Sequence, residues 1–343
     1  MAAPSPASAP PGAANPVAVE VWRGEMVESR HRAAIAVVDA RGRTVEQAGE
    51  VGRPVYGRSA VKPIQALPLI ESGAADRWGL GPAEIALACA SHSGEPRHVA
   101  LVAAWLARLG LGPADLECGA QLPYAEAAAE ALLRAGAAPG PLHNNCSGKH
   151  AGFLATARHL GEPTAGYIRR DHPVQRRVEA ALGEMAGLAL DRAPHGIDGC
   201  GIPVVGVPLE RLALAMARIA DPADLPTARA DAVLRIRAAI AAEPFLIGGT
   251  GRFGTRLMQA VGAAALVKSG AQGVYCAALP GLGLGVALKV DDGSGPASEV
   301  VLGSVLRRLG VLTQAQLAAL ADLLQPPVPN RAGLETGRVR PVL

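Results

Sequence analysis

The chain has 343 residues, half of them hydrophobic and mostly Ala, Val and Leu, which excludes a disordered polypeptide and provides material for a sizeable core. Its net charge is only +3, its arginines are scattered, and it has three Phe and four Tyr, so no basic stripe interleaves with stacking aromatics and no nucleic-acid partner is expected. Five cysteines, an odd number, are expected as reduced thiols in a cytoplasmic protein, and no apolar run reaches the roughly 20 residues that span a membrane.

In chain order, residues 1–16 (MAAPSPASAPPGAANP) are rich in proline, lack the charged start and apolar run of an export signal, and read as a disordered tail. Residues 17–23, 33–40 and 44–49 alternate or run apolar with Val and Ile, and DARGRT supplies a turn between the last two, which predicts antiparallel strands. From about 60 to 240 the pattern is mainly helical. AEIALACA, RHVALVAAWLARLG, AEAAAEALLRAG, KHAGFLATARHLG, VQRRVEAALGEMAG and LERLALAMARIA each repeat apolar residues at helical spacing, and several stop at Gly. AALVKSG, GVYCAAL and GLGVALKV then read as three strands, followed by two helices near 297–325. Strands at both ends with helices between them predict an α+β fold, an antiparallel sheet closed by sequence-distant segments and flanked by helices. The simplest organisation is a single catalytic domain over 17–330 with a C-terminal tail over 331–343.

Of the 33 basic residues only four are Lys: Lys62, Lys149, Lys268 and Lys289. A composition that exchanges Lys for Arg wherever a surface cation suffices makes the survivors informative. Arginine cannot lose its proton in a protein, whereas a buried lysine can become a neutral base or ligand. In YGRSAVKPIQALP (56–68), Pro63 favours a helix starting near residue 60, because a proline in the first turn has no hydrogen bond to lose. Ser59 then sits at the helix start, three residues before Lys62 and on its face, where free amides stabilise developing negative charge. A neutral lysine beside a serine makes a nucleophile. Pro68, further in, is expected to kink or end the helix. The alternative is an N-cap serine beside a solvated lysine.

Two further motifs weigh against that alternative. SHSGE (91–95) offers Ser91 and Ser93, and VKSG (267–270) places Lys268 at the end of a strand. Ser-x-x-Lys, a later serine loop and a downstream Lys-[Ser/Thr]-Gly form the outline of serine β-lactamases and penicillin-binding proteins, although Ser93 stands where those enzymes place Asn. HNNCSGKHAGF (143–153) and HGIDGCGIP (195–203) contribute Cys146, Lys149, His150, His195, Asp198 and Cys200. A phosphate loop is excluded, since the required earlier Gly is His143. Zinc suits these donors, yet the Cys-x-x-Cys or Cys-x-x-His spacing of structural sites is missing, so buried ordinary cysteines remain the other reading. His92, His150 and His195 read as hydrogen-bonded structural residues.

RSAVKPIQALPLIESGA, ALACASHSGE, LECGA, NNCSGKHAGFL, DGCGIP and GTGRFGTRLM together resemble the Rhizobium etli-type, inducible and thermolabile L-asparaginase family, over about residues 17–330. The resemblance implies a fold similar to serine β-lactamases and glutaminases, and hydrolysis of L-asparagine to L-aspartate and ammonia. It implies two Ser-Lys pairs, Ser59 with Lys62 and Ser91 with Lys268, and a zinc held by Cys146, Lys149 and Cys200 near the substrate pocket. A homodimer is also implied. For the α-carboxylate and ammonium of free asparagine the candidates are Arg58, Asp198 and Glu95. Where the family has Cys and an acidic residue, this chain has Gly254 and Arg256, and an arginine there is expected to repel a substrate ammonium. Lys289 is expected on the surface. Two other functions fit the same residues: a penicillin-recognising peptidase or β-lactamase, and a non-catalytic amino-acid-binding protein.

Overall fold

The computed structural model describes residues 14–343. Most of the tail expected over 1–16 lies outside them, but the fold already includes Asn15. This side chain is buried, donates to Asp291 Oδ1 at 2.7 Å and accepts the Glu50 amide at 2.8 Å. The strands are β1 (Val17–Arg23), β2 (Met26–Asp39), β3 (Thr44–Ala48), β4 (Pro54–Tyr56), β5 (His195–Ile197), β6 (Pro203–Pro208), β7 (Leu266–Ser269), β8 (Val274–Leu279), β9 (Leu284–Val290), β10 (Pro327–Pro329) and β11 (Glu335–Pro341). The chain divides into two compact units.

The first unit comprises the described residues up to Ala60 together with Val207–Asp221 and Arg256–Leu343. It holds an antiparallel sheet in the order β10-β11-β1-β2-β9-β8-β7, with β3 also on β2. The 14-residue β2 pairs with β1 through its first half and lies between β9 and β3 through its second. Ala33 opposite Val290 is the predicted closure of the sheet by distant segments. Residues 331–343, expected as a tail, instead carry β11, which pairs with β1 from Val19–Pro341 to Arg23–Gly337. Every residue of β8 is buried, so the sheet is covered on both faces there. Helices Leu209–Ala220 and Gly295–Arg308 pack against β8 and β9. Gly285 of β9 lets the first of them sit directly on the strand, since an added Cβ would overlap Ala213 O and Ala217 N.

The second unit, Val61–Gly206 and Pro222–Thr255, is mainly helical, with a short ladder from His195–Val205 to Ile197–Pro203. Its helices follow the apolar spacing closely: Pro82–Ala88, Pro96–Arg108, Glu126–Arg134, Ser147–Leu160 and Pro173–Ala186. Two of them stop at glycines of positive φ, Gly161 at 68° and Gly187 at 66°. Helix Ser147–Leu160 is buried from Ser147 through Ala157 and forms the centre of this unit. It crosses helix Pro82–Ala88 at Gly148, where any Cβ would overlap Leu87 O. The crossing places the start of one helix beside the end of the other, and so lays SHSGE against NNCSGK; the His92 amide donates to Asn145 O at 3.2 Å.

Candidate active site

The first unit's segment before Ala60 enters a 3-10 turn, Arg58–Val61, that carries a half-buried Ser59. Arg58 has φ +48°, a left-handed conformation uncommon for a side-chain-bearing residue and found where surrounding structure enforces it. The end of β7 runs beside this turn. A Cβ at Gly270 would meet Gly57 O at 2.8 Å and Ala60 N at 3.3 Å, so only glycine allows VKSG to run against the Ser59 turn. Two residues earlier, Lys268 is buried and its amine donates to Ser269 O at 2.9 Å.

Within the second unit, Lys62 opens a single helical turn, Lys62–Gln65, with Pro63 in its first positions. The helix breaks at Ala66 and restarts as Leu67–Glu71, the interruption expected of Pro68. Lys62 is fully buried, and its amine donates to Ala90 O and to Ser91 Oγ, the latter at 3.0 Å. Ser91 is held in turn by its own amide, which donates to Ile247 O at 2.9 Å. Ser93 Oγ donates to Gly248 O at 2.7 Å, and Glu95 accepts from the Thr250 amide and hydroxyl, both at 2.7 Å. Gly249, with φ +112°, leaves no room for a Cβ against Glu95. Segment 247–250 is thus a strap over the SHSGE loop, a role for Glu95 and Thr250 that sequence reasoning did not find.

Cys146, Lys149 and Cys200 come together, all buried, with Lys149 Nζ donating to Cys200 Sγ at 3.1 Å. The Cys200 thiol donates toward Cys146, which together with Lys149 and Lys62 holds Cys146 well below the usual thiol range against the opposing cost of burial. Cys200, as the donor and buried, is pushed up. Burial disfavours the Lys149 ammonium, but Cys146, Cys200 and Asp198 outweigh it and hold Lys149 above the usual range. Asn144 joins two segments here, donating to Cys118 O at 2.9 Å and accepting the Cys146 amide at 2.9 Å. Cys118, whose thiol burial and Cys146 push up to about 12, is a neighbour that only the LECGA block hinted at. Two thiols and an amine, buried and linked through Cys200, fit zinc as a donor set. Among the described residues, no three His, Cys, Asp or Glu side chains gather as a metal site.

The remaining candidates have defined places. Asp198, half-buried, accepts the Gly199 amide at 2.7 Å. Arg256 makes a two-pronged pair with Asp322, at 2.6 and 3.0 Å, so its charge is matched on the surface of the first unit. The histidines are hydrogen-bonded as expected: His92 to Ser147 Oγ, His150 to Tyr167 Oη, and His195 to Ala193 O and Glu179 Oε1. Lys289 is partly buried, its amine donating to Val290 O.

An α+β protein with an antiparallel sheet, helices and a buried lysine bonded to a serine is the class that these features define. The family model of L-asparaginase II matches residues 19–341, and the chain belongs to that family. Among solved structures it is similar to Mglu in its tris and glutamate form (16% identity, TM-score 0.45), covering 87% of this chain and 63% of Mglu. It is also similar to a β-lactamase from Mycobacterium bovis (14% identity, TM-score 0.40, 80% and 94% covered). A class C β-lactamase from Rhodobacter sphaeroides has 15% identity and a TM-score of 0.40, with 82% and 95% covered. The chain therefore spans less than two thirds of the length of Mglu. No curated protein matches the sequence.

Proposed function

We propose that this protein is an L-asparaginase that hydrolyses the side-chain amide of L-asparagine to L-aspartate and ammonia through an acyl-enzyme. The observation that carries the reading is the buried Lys62 amine bonded to Ser91 Oγ, in a chain of the L-asparaginase II family. Ser59 Oγ attacks the amide carbon as its proton passes to the amine of Lys62, three residues on. The Ser91 hydroxyl, bonded to that amine, relays the proton onward with Lys268 as its second partner. Backbone amides hold the oxyanion. Ammonia leaves with the proton, and water cleaves the Ser59 ester. Arg58 pairs with the α-carboxylate, and the carboxylates of Asp198 and Glu95 receive the ammonium; each Glu95 oxygen already accepts one bond from Thr250 and retains a second lone pair. Zinc on Cys146, Lys149 and Cys200 would supply a fixed positive charge that orients substrate. We infer a cytoplasmic homodimer, which sedimentation of the purified protein tests.

Ammonia release from L-Asn, L-Gln and D-Asn, beside turnover of a chromogenic cephalosporin, decides among the candidate functions. L-Asn is expected to be the substrate, and Ser59→Ala is expected to lower its turnover by on the order of 10³-fold with the fold retained. Turnover of the cephalosporin alone, or an unchanged rate in the variant, overturns the proposal.

A further inference from the structure

His92 stands next to Ser91, is fully buried, and has no part in the reaction as proposed. Its bonding is nonetheless fully determined. The Gly94 amide donates to Nδ1 at 3.1 Å, and Gly94 is itself fixed, with φ +72° and room for no Cβ against Pro123 at 3.0 Å. Burial, followed by His98, Lys62 and His143, keeps the ring well below the usual imidazole range and therefore neutral. With Nδ1 accepting, the single ring proton is on Nε2 and is donated to Ser147 Oγ at 2.8 Å; the Ser147 hydroxyl donates in turn to Leu142 O at 3.0 Å. The ring plane is set by stacking, His92 on His98 at 4.9 Å and His98 on Phe245 at 4.8 Å, each pair 11° from parallel.

Ser147 lies between Cys146 and Lys149. One side-chain bond, beside the backbone bond from the His92 amide to Asn145 O, therefore ties the residue next to Ser91 to the segment that carries two members of the thiol–amine cluster. We propose that His92 is a positioning residue: through Ser147 it locks the Ser91 loop to the 146–149 segment and thereby keeps Ser91 in register with Lys62. The catalytic part of this assignment rests on the amidohydrolase reading above.

Three variants separate the bond from the bulk. Ser147→Ala removes the acceptor. His92→Asn keeps an acceptor for the Gly94 amide but is too short for Ser147, whereas the longer amide of His92→Gln reaches it. Ser147→Ala and His92→Asn are expected to lower kcat by about 10- to 100-fold with KM within about twofold, because a displaced hydroxyl weakens the reaction more than binding. His92→Gln is expected to recover most of the loss, and the double variant His92→Asn/Ser147→Ala to be no worse than the worse single. Hydrogen exchange at the amides of residues 91–94 is expected to quicken about tenfold in Ser147→Ala. A folded Ser147→Ala protein with wild-type kcat, or with wild-type exchange at 91–94, overturns the assignment, as do additive effects in the double variant. If the wild-type protein releases no ammonia from any amide, the amidohydrolase reading falls, and the exchange comparison alone decides the lock.

Discussion

Lys149 is enclosed with two thiols and a nearby carboxylate, and its proton is held by that company. To ligate a metal it must give the proton up, an exchange open to lysine and closed to arginine. Lys149→Arg preserves the charge that pairs with Cys146 and removes only the lone pair. The variant is expected to fold, by circular dichroism, yet to retain less than about a tenth of the zinc that elemental analysis finds in the wild-type protein. Equal zinc in both, or none in the wild type, removes Lys149 as a ligand. At this scale the sequence was informative, because scarcity of lysine marked Lys62, Lys149 and Lys268 as buried groups, and all three are buried. The partner of Lys62 was not legible in the same way. Helical spacing relates Lys62 to residues three or four positions away, whereas Ser91 reaches it through a packing of segments 29 residues apart.

Among the elements, the decisive contact is the crossing of helices Pro82–Ala88 and Ser147–Leu160. It sets the distance between the Ser91 loop and the thiol–amine cluster, and it depends on the absence of a side chain at Gly148. A Cβ there would overlap a backbone carbonyl, Leu87 O, which cannot swing aside as a side chain does. Gly148→Ala is therefore expected to destabilise the protein by about 2–4 kcal/mol despite the better helix propensity of alanine, read from the midpoint of urea unfolding. A loss below about 1 kcal/mol would mean that the helices part without consequence. Helix existence and ends were legible because apolar spacing and terminal glycines coincide, as at Gly161 and Gly187. β11 was not. Its ETGRVRP carries three charges, at 335, 338 and 340, and little apolar surface, and only pairing with β1 makes it a strand.

The behaviour of the whole molecule in acid follows from histidines that it buries uncharged, His92, His98 and His150. Burial is the first cause of the low proton affinity of both His92 and His98; for His98 the opposing pull of Phe245 O and Glu95 is the smaller influence. In the unfolded chain each ring takes up a proton near pH 6.5, so below that value the unfolded state binds protons that the folded state refuses. Stability is then complete above about pH 6.5 and falls as pH drops toward the depressed folded values, by up to about 1.4 kcal/mol per pH unit for each histidine. His98 offers a clean test. Its Nδ1 is buried without a partner, and Nε2 reaches only Phe245 O at 3.4 Å, so phenylalanine preserves the stack on His92 and Phe245 and gives up little. Urea unfolding between pH 7.5 and 5 is expected to show the wild-type protein losing stability with decreasing pH, and His98→Phe losing it with a slope smaller by about one proton. Parallel slopes in the two proteins would assign the acid sensitivity to other groups and leave the ring stack as packing alone.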